Sequence, residues 1–550
     1  MKIIIKSKFF PVYLLVLISI VFLYPLILDN FYLSHDGEAH VARFAAYYKA
    51  FTDGQFPLRW AGDLNYGYGS PVFTFYYPFP GLLSIPIHAL GITFENTFKL
   101  LISFFFILSF LTFYLWASGS VKKEAAFLGA LFYGLAPYHI LNLYVRGDVA
   151  ELVALSIVPI VFWSIDKLTQ TKSSMYLILG GIVYALLILS HNSISLMFSG
   201  VFLLYSFIHT KNMKEIMMVI PIFALGLALS SFFWFPALVE SRYTNVGLFV
   251  GDMFKEHFPS VQQLIYPSWG FGPDVAKVGG LSPQIGIVGL VLAACSMGLI
   301  FRFKEKKRIL FWMGVLISAI FMSLSTSTLI WENAPLLKFF QFPWRIVGLS
   351  SFAAAVLSIY FSDKFLNKRL IIVFSILILL FSAPFIKIKS TENKNDSFYL
   401  SYKGTTDYHG AASTIWTAGD FSSIPKIPYE VIVGKAKISL VKRKSNVHEF
   451  NVDASTNLKI VDNTVYFPGW QVAVDGNKVP IQFQDPNYRG LITFNVSRGT
   501  HNIKVMFGES PIRLLADFIS LAGSVFVIAL FIWRSKIDKA ISKLWKDRLF

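Results

Sequence analysis

Apolar runs of roughly 20 residues recur along the chain, the length an α-helix needs to cross a bilayer. The first is Phe9–Asn30. Others lie at Phe98–Ala117, Ala125–Leu143, Leu152–Ile165, Met175–Leu189, Ile194–Ile208, Ile216–Phe235, Gln284–Phe301, Ile309–Ser325, Phe342–Phe361, Leu370–Ile386 and Pro511–Trp533. Together they predict an α-helical polytopic membrane protein of about 12 spans. Between Lys387 and Ser510 the pattern changes to alternation at period two. Ala436–Val441, Lys459–Val461, Gln471–Val474 and His501–Val505 read as half-buried strands. Asp475-Gly476-Asn477 is a hairpin turn between two of them. A β-sandwich is therefore expected from about residue 430, after an irregular lead-in at Lys387–Pro428. The expected parts are a membrane domain over 1–386 with a long first loop at 31–91, an extracytoplasmic domain over 387–510, and a last span with a basic tail over 511–550.

Composition supports the membrane class. With 55% hydrophobic residues and 55 Phe, the chain carries more apolar surface than a soluble fold of 550 residues can enclose. The net charge of +17 could suggest a nucleic-acid partner, but its distribution speaks against one. With the N-terminus inside and the spans alternating, Lys2, Lys6, Lys8, Lys122-Lys123, Lys167/Lys172, Lys211/Lys214, Arg302–Arg308, Lys364–Arg369 and Arg534–Arg548 all fall on the cytoplasmic side. That is the positive-inside pattern, and it puts both termini in the cytoplasm. The first run is too long for a cleaved signal peptide and reads as a signal-anchor. Charge parity also makes Pro71–Gly91 a non-crossing helix and splits Met175–Ile208 into two spans that turn at Ser190–Ser193. A single cysteine, Cys295, allows no intramolecular disulfide. A large external portion without disulfides fits a bacterial plasma (inner) membrane.

The polar chemistry gathers at the external ends of the runs. Directly after the first, Ser34–Arg43 holds Asp36, Glu38, His35, His40 and Arg43, a dense ionisable cluster at a membrane surface. Val41–Phe51 then places Phe44, Tyr47, Tyr48 and Phe51 at helical spacing, as in a helix lying along the headgroups. Gln55–Trp60 and Asn65–Pro71 present Arg59, Trp60, Tyr66 and Tyr68, flat rings that either stack on sugars or form an interfacial belt. Tyr144–Glu151 carries Arg146 and Asp148, with Glu151 positioned to complement a helix dipole. His191 tips the turn between two apolar runs, as a cap or as a ligand contact. Arg345, in Phe342-Pro343-Trp344-Arg345, can snorkel to the interface or hold a phosphate bidentately. In the β region, Trp470 and Tyr488 could stack on carbohydrate, though Trp470 reads more readily as core.

A first span, an acidic first external loop, surface helices and about a dozen spans resemble the GT-C glycosyltransferase superfamily, which includes oligosaccharyltransferases, protein O-mannosyltransferases and the lipid A aminoarabinose transferase. Gly54–Trp60, Gly67–Phe73 and Phe342–Arg345 look closer still to a branch of bacterial membrane proteins labelled "6-pyruvoyl-tetrahydropterin synthase related". Nothing in the chain resembles a pterin-synthase zinc site. The resemblance implies transfer of a sugar from a polyprenyl-phosphate or polyprenyl-diphosphate donor to a glycan, lipid or protein acceptor on the external face. Asp36 matches the superfamily's base or metal ligand, and Asp148 its second acidic position. The motif here is Asp-Gly-Glu, which leaves open whether Asp36 and Asp148 bind a divalent metal cofactor. In this chemistry Asp36 or Glu38 accepts the acceptor's proton, and His40 or His35 relays it. Arg345, Arg146 or Arg43 stabilises the phosphate leaving group. His35, Arg59, Trp60, Tyr66, Tyr68 and His191 contact sugar or acceptor. The alternatives are a flippase or transporter of lipid-linked or envelope polysaccharide and a non-catalytic sugar-binding scaffold. Transporters place ionisable groups at the midplane and show repeats. Here the charges sit at span ends and no repeat is visible, which favours the enzyme.

Overall fold

The computed structural model describes residues 9–546 except 29, 211, 248–250, 267, 276, 278, 304, 305, 408, 409 and 418–423, with side chains as far as 539. Lys2, Lys6, Lys8, Lys211 and Arg548 lie outside the described residues. Among the described residues, six helices are long and apolar enough to cross a membrane: Phe94–Ala117, Val149–Thr171, Asn192–His209, Pro343–Phe365, Lys368–Phe385 and Pro511–Lys539. Three bent pairs raise the number to as many as nine: Lys123–Gly134 with Pro137–Arg146 (41°), Met213–Leu229 with Ser231–Tyr243 (69°), and Lys306–Ser323 with Ser325–Asn333 (88°). Phe10–Phe22, Ser174–Ser190 and Ile287–Gly298 are apolar but shorter, at 13, 17 and 12 residues. The first bend falls just before Pro137, which starts a helix readily but cannot continue one. Val149–Thr171 and Pro343–Phe365 bury 83% of their apolar windows, against 17% for Pro511–Lys539. The first two are therefore the centre of the bundle, and the last helix lies at its edge.

Pro71–Gly91 forms two short helices, Val72–Phe75 and Phe79–Ala89. The longer reaches only ~16 Å, about half the hydrocarbon thickness of ~30 Å. Met175–Ile208 breaks at His191, between Ser174–Ser190 and Asn192–His209. The expected surface helix is Gly37–Thr52, but it is turned inward. Phe44 and Tyr47 are each 1% exposed, and only Phe51 faces out, at 50%. Helices Phe79–Ala89 and Phe94–Ala117 cover its apolar side. Gly81 makes the approach possible, because a Cβ there would stand 2.5 Å from the Tyr47 ring.

Among the described residues the C-terminal region has eight strands: β1 Tyr429–Val433, β2 Ala436–Arg443, β3 Val447–Ala454, β4 Leu458–Val465, β5 Trp470–Val474, β6 Asn477–Val479, β7 Leu491–Val496 and β8 Gly499–Phe507. They form two antiparallel sheets, ordered β1-β4-β7 and β2-β3-β8-β5-β6. Phe450, Val452, Ile460, Phe494, Ile503 and Val505 from the two sheets share one core. The β5–β6 turn has Asp475 at φ +50° and Gly476 at φ +81°, with Val474 paired to Asn477, the two-residue hairpin that the sequence announces. Trp470 is buried core; Tyr488 is half-buried at its margin.

The first loop, 31–91, plugs into this core. Trp60 is fully buried, with its ring centroid 5.3 Å from that of Trp470 and 5.2 Å from that of Phe507. Asp53 accepts from the Ser445 backbone N–H at 2.7 Å, and Gln55 donates to the Ser445 hydroxyl at 2.8 Å. The sequence offered Trp60 as a sugar-stacking ring, but a ring enclosed on all sides presents no face to a ligand. Arg59 departs from its expected role in the same way. It donates to Asp517 at 2.7 Å, Glu509 at 3.3 Å and the Phe232 carbonyl at 2.7 Å, tying the loop to the last helix.

Candidate active site

Two loops meet edge to edge at one end of the bundle. The backbone N–H of His35 donates to Val145 O at 3.0 Å, and that of Asp36 to Arg146 O at 2.7 Å. On its other side the first loop is held by Leu33 N–H to Ser390 O (2.9 Å) and Glu392 N–H to Phe31 O (2.8 Å). Gly147 permits this contact. It sits at φ +65°, and a Cβ there would lie 2.2 Å from Ser34 Oγ and 3.2 Å from Gly37 Cα. Asp36 precedes helix Gly37–Thr52, yet its carboxylate does not cap it. It faces Arg146 Nη2 at 3.9 Å and keeps its side chain 47% exposed.

A single turn of π-helix, Leu141–Arg146, delivers Arg146 inward, a distortion that often marks functional sites. Arg146 Nη2 donates to Asp148 at 2.6 Å, and Nη1 to Glu151 at 2.5 Å and to Asn142 Oδ1 at 2.6 Å. Its guanidinium lies 4.8 Å above the Trp344 ring. The other Asp148 oxygen caps the Glu151 N–H at 3.0 Å and stands 3.8 Å from His40 Nε2. Glu151, fully buried, also accepts from the Tyr138 hydroxyl and faces Arg345 Nε at 3.7 Å. His191 begins helix Asn192–His209, accepting the Ile194 N–H on Nδ1 at 3.3 Å, with its ring stacked on Tyr77 at 5.0 Å.

These surroundings separate the two aspartates. Burial pushes the Asp148 carboxyl up, but Arg146 outweighs it and holds the group well below the usual carboxylate range. For Asp36 burial wins. Burial by its neighbours pushes its pKa up, Arg146 opposes, and Asp148 adds to the rise, all three softened because the side chain is 47% exposed. Burial, followed by Arg43, pushes His40 down to about 3. Burial takes His191 down to about 4, against the pull of Asp148 and Glu151. Both imidazoles are therefore neutral at physiological pH and act as hydrogen-bonding groups rather than cations.

The structure thus brings Asp36, His40, Asp148, Arg146, Arg345 and His191 together. Arg43 lies next to them, buried, stacked over Tyr76 at 3.8 Å, 3.3 Å from His40 Nδ1 and bonded to the Thr406 carbonyl. His35 turns away from the carboxylates, its Nε2 lying 2.9 Å from Phe271 O. The Tyr66 and Tyr68 backbones hold the loop to Lys403 and Val465, and both rings are half-buried. Glu38 leaves the cluster altogether and pairs with Lys394 at 2.7 Å. Because that pair is partly exposed, Glu38→Gln should cost less than about 1 kcal/mol. Its activity should stay within about threefold of wild type. A severe loss with normal thermal stability would instead place Glu38 in the chemistry. Glu151 was read from the sequence only as a dipole partner. A carboxylate one turn inside an apolar helix was the available signal that it does more.

A divalent cation would find Asp148, Glu151 and His191 with ligand atoms within 4.8 Å of one another. Asp36 is not part of that group. Both carboxylates are already bonded to Arg146, so a dication would have to displace a guanidinium. The donor set as arranged fits an internal cation better than a metal.

A sequence profile described as "6-pyruvoyl-tetrahydropterin synthase related domain; membrane protein" matches residues 73–390, more than half of the chain. An uncharacterised protein from Lactococcus lactis subsp. cremoris is 28% identical over 259 residues, covering 44% of this chain and 42% of the relative. Among solved structures, the chain is similar to the mycobacterial arabinofuranosyltransferase AftD (TM-score 0.48, 16% identity, 69% of this chain and 26% of that one). It is also similar to ArnT from Cupriavidus metallidurans bound to undecaprenyl phosphate (0.40, 14%, 65% and 61%). A third similar structure is the Archaeoglobus fulgidus oligosaccharyltransferase (0.39, 13%, 73% and 56%). The chain spans less than half the length of its Lactococcus relative and about a quarter of AftD.

Proposed function

We propose, for a chain that belongs to the 6-pyruvoyl-tetrahydropterin synthase related family of membrane proteins, a glycosyltransferase reaction on the external membrane face. A sugar passes from a polyprenyl-phosphate donor to a hydroxyl or amine acceptor. The observation that carries this reading is the convergence of Asp36, Asp148, Glu151, Arg146 and Arg345 at one end of the bundle. Asp36 is the base. It is the open carboxylate and the one pushed toward proton affinity, whereas Asp148 is locked in an ion pair. As the acceptor oxygen or nitrogen bonds to the anomeric carbon, its proton moves to Asp36 and the carbon–oxygen bond to the phosphate breaks. The electron pair of that bond leaves on the phosphate oxygen, where a fixed cation lowers the barrier.

Arg345 fills that last role better than Arg146. Arg146 spends its Nη1 and Nη2 on Asp148, Glu151 and Asn142. Among the described residues Arg345 commits only Nη1 to hydrogen bonds, which leaves Nη2 for a ligand. His40 and His191, both neutral, lie beside Asp148 and help orient it. The topology that serves this chemistry has about 12 spans, both termini cytoplasmic and the C-terminal region a β-sandwich outside a bacterial plasma membrane. The parts are 1–386, 387–510 and 511–550. The positive-inside distribution supports this topology.

Removing the gene tests the reading. Cells without the protein should accumulate an unused polyprenyl-phosphate-linked sugar and lack a matching sugar on an envelope product. Restoring the wild-type gene should reverse both. Unchanged lipid-linked sugars and glycans would overturn it.

A further inference from the structure

Among non-glycine residues, a positive φ is uncommon, and the strain is kept only where the surroundings impose it. Gln341 sits at φ +63°, ψ −52°, four residues before Arg345. The tight turn it makes closes with the Phe342 N–H donating to Phe340 O at 2.7 Å. The turn aims two acceptors at one guanidinium: Arg345 Nη1 donates to Gln341 Oε1 at 2.6 Å and to Phe340 O at 3.1 Å. On the far side Glu151 faces Arg345 Nε at 3.7 Å and is itself pinned by Arg146 and by the Tyr138 hydroxyl. The rings of Phe342 and Trp344, stacked 5.1 Å apart, lie 4.9 and 5.8 Å from the same guanidinium. Arg345 is therefore held from two sides, Nη1 by Gln341 and Phe340 and Nε by the facing Glu151, while Nη2 has no hydrogen-bond partner among the described residues and is left for a phosphate oxygen.

We propose that Gln341 and Glu151 are positioning residues that hold Arg345 so that its Nη2 receives the donor's phosphate. This rests on the transferase reading and adds to it the residues that determine donor affinity. Neither touches the reacting atoms. Both act through Arg345, so losing either should raise the donor KM, and losing Gln341 should leave kcat nearly in place.

The test uses full-length protein in nanodiscs and a radiolabelled short-chain polyprenyl monophosphate. Gln341→Gly keeps the backbone turn, which glycine adopts freely, and removes the amide. Glu151→Gln keeps the shape and removes the charge. Each should weaken binding about tenfold and raise the donor KM to match, with the kcat of Gln341→Gly within about threefold. Thermal unfolding of Gln341→Gly should be no earlier than that of wild type, which separates lost positioning from lost folding. If wild-type protein fails to bind the lipid phosphate, the transferase reading fails. If wild type binds and both variants bind equally well, or lose kcat at unchanged KM, the positioning role is overturned.

Discussion

Asp36→Asn abolishes sugar transfer while leaving the protein folded and membrane-inserted. The expected loss is a factor of about 10² to 10⁴, the usual contribution of one general base. The substitution is conservative in every respect except the one that matters. The backbone N–H still reaches Arg146 O, and the side chain caps nothing and is half open to solvent. An amide fills the same space but cannot take a proton. The measurement is lipid-linked sugar and glycan analysis in cells that carry the variant as their sole copy. It should be paired with thermal unfolding of the purified protein to show that the fold is intact. Wild-type product from this variant would remove the catalytic assignment and return the transporter and scaffold alternatives.

Arg146→Met should have the largest effect on stability, about 3–5 kcal/mol. Arg146 is buried between Asp148 and Glu151, themselves 2% and 0% exposed. Removing the guanidinium leaves two carboxylates with no adjacent cation to replace it, because Arg345 reaches only Glu151, and at 3.7 Å. Unfolding in detergent should begin far earlier than for wild type. Adding Asp148→Asn and Glu151→Gln to Arg146→Met should recover much of the loss, since the uncompensated charges are then gone. Equal stability of Arg146→Met and wild type would mean that water reaches this cluster and that the site is not the closed, charge-balanced centre described.

Long apolar runs were legible because a span is set by length and composition, which need no knowledge of neighbours. The bend before Pro137 and the π-turn behind it were not, and the sequence reads Ala125–Leu143 as one run. Yet that distortion is what aims Arg146 at Asp148 and Glu151. Within the first loop, helical geometry already separated the candidates. His40 is four residues from Asp36 and shares its face, whereas Glu38 is two residues away and cannot. That spacing explains why His40 reaches Asp148 while Glu38 turns to Lys394. Arg59 and Trp60 failed for a different reason. Their partners, Asp517, Trp470 and Phe507, lie more than 400 positions away, and no local pattern reports a contact at that separation. The convergence of Asp36, Asp148, His191 and Arg345 was legible only as four polar islands at the ends of apolar runs. Their meeting is a tertiary fact.

A structure of the full-length protein with a polyprenyl monophosphate bound in a nanodisc is the most direct measurement. The phosphate is expected within hydrogen-bonding distance of Arg345 Nη2, with its sugar-bearing oxygen turned toward Asp36 and with Arg146 still bonded to Asp148 and Glu151. A phosphate seated away from Arg345, or held by Arg146 in place of its two carboxylates, would contradict it.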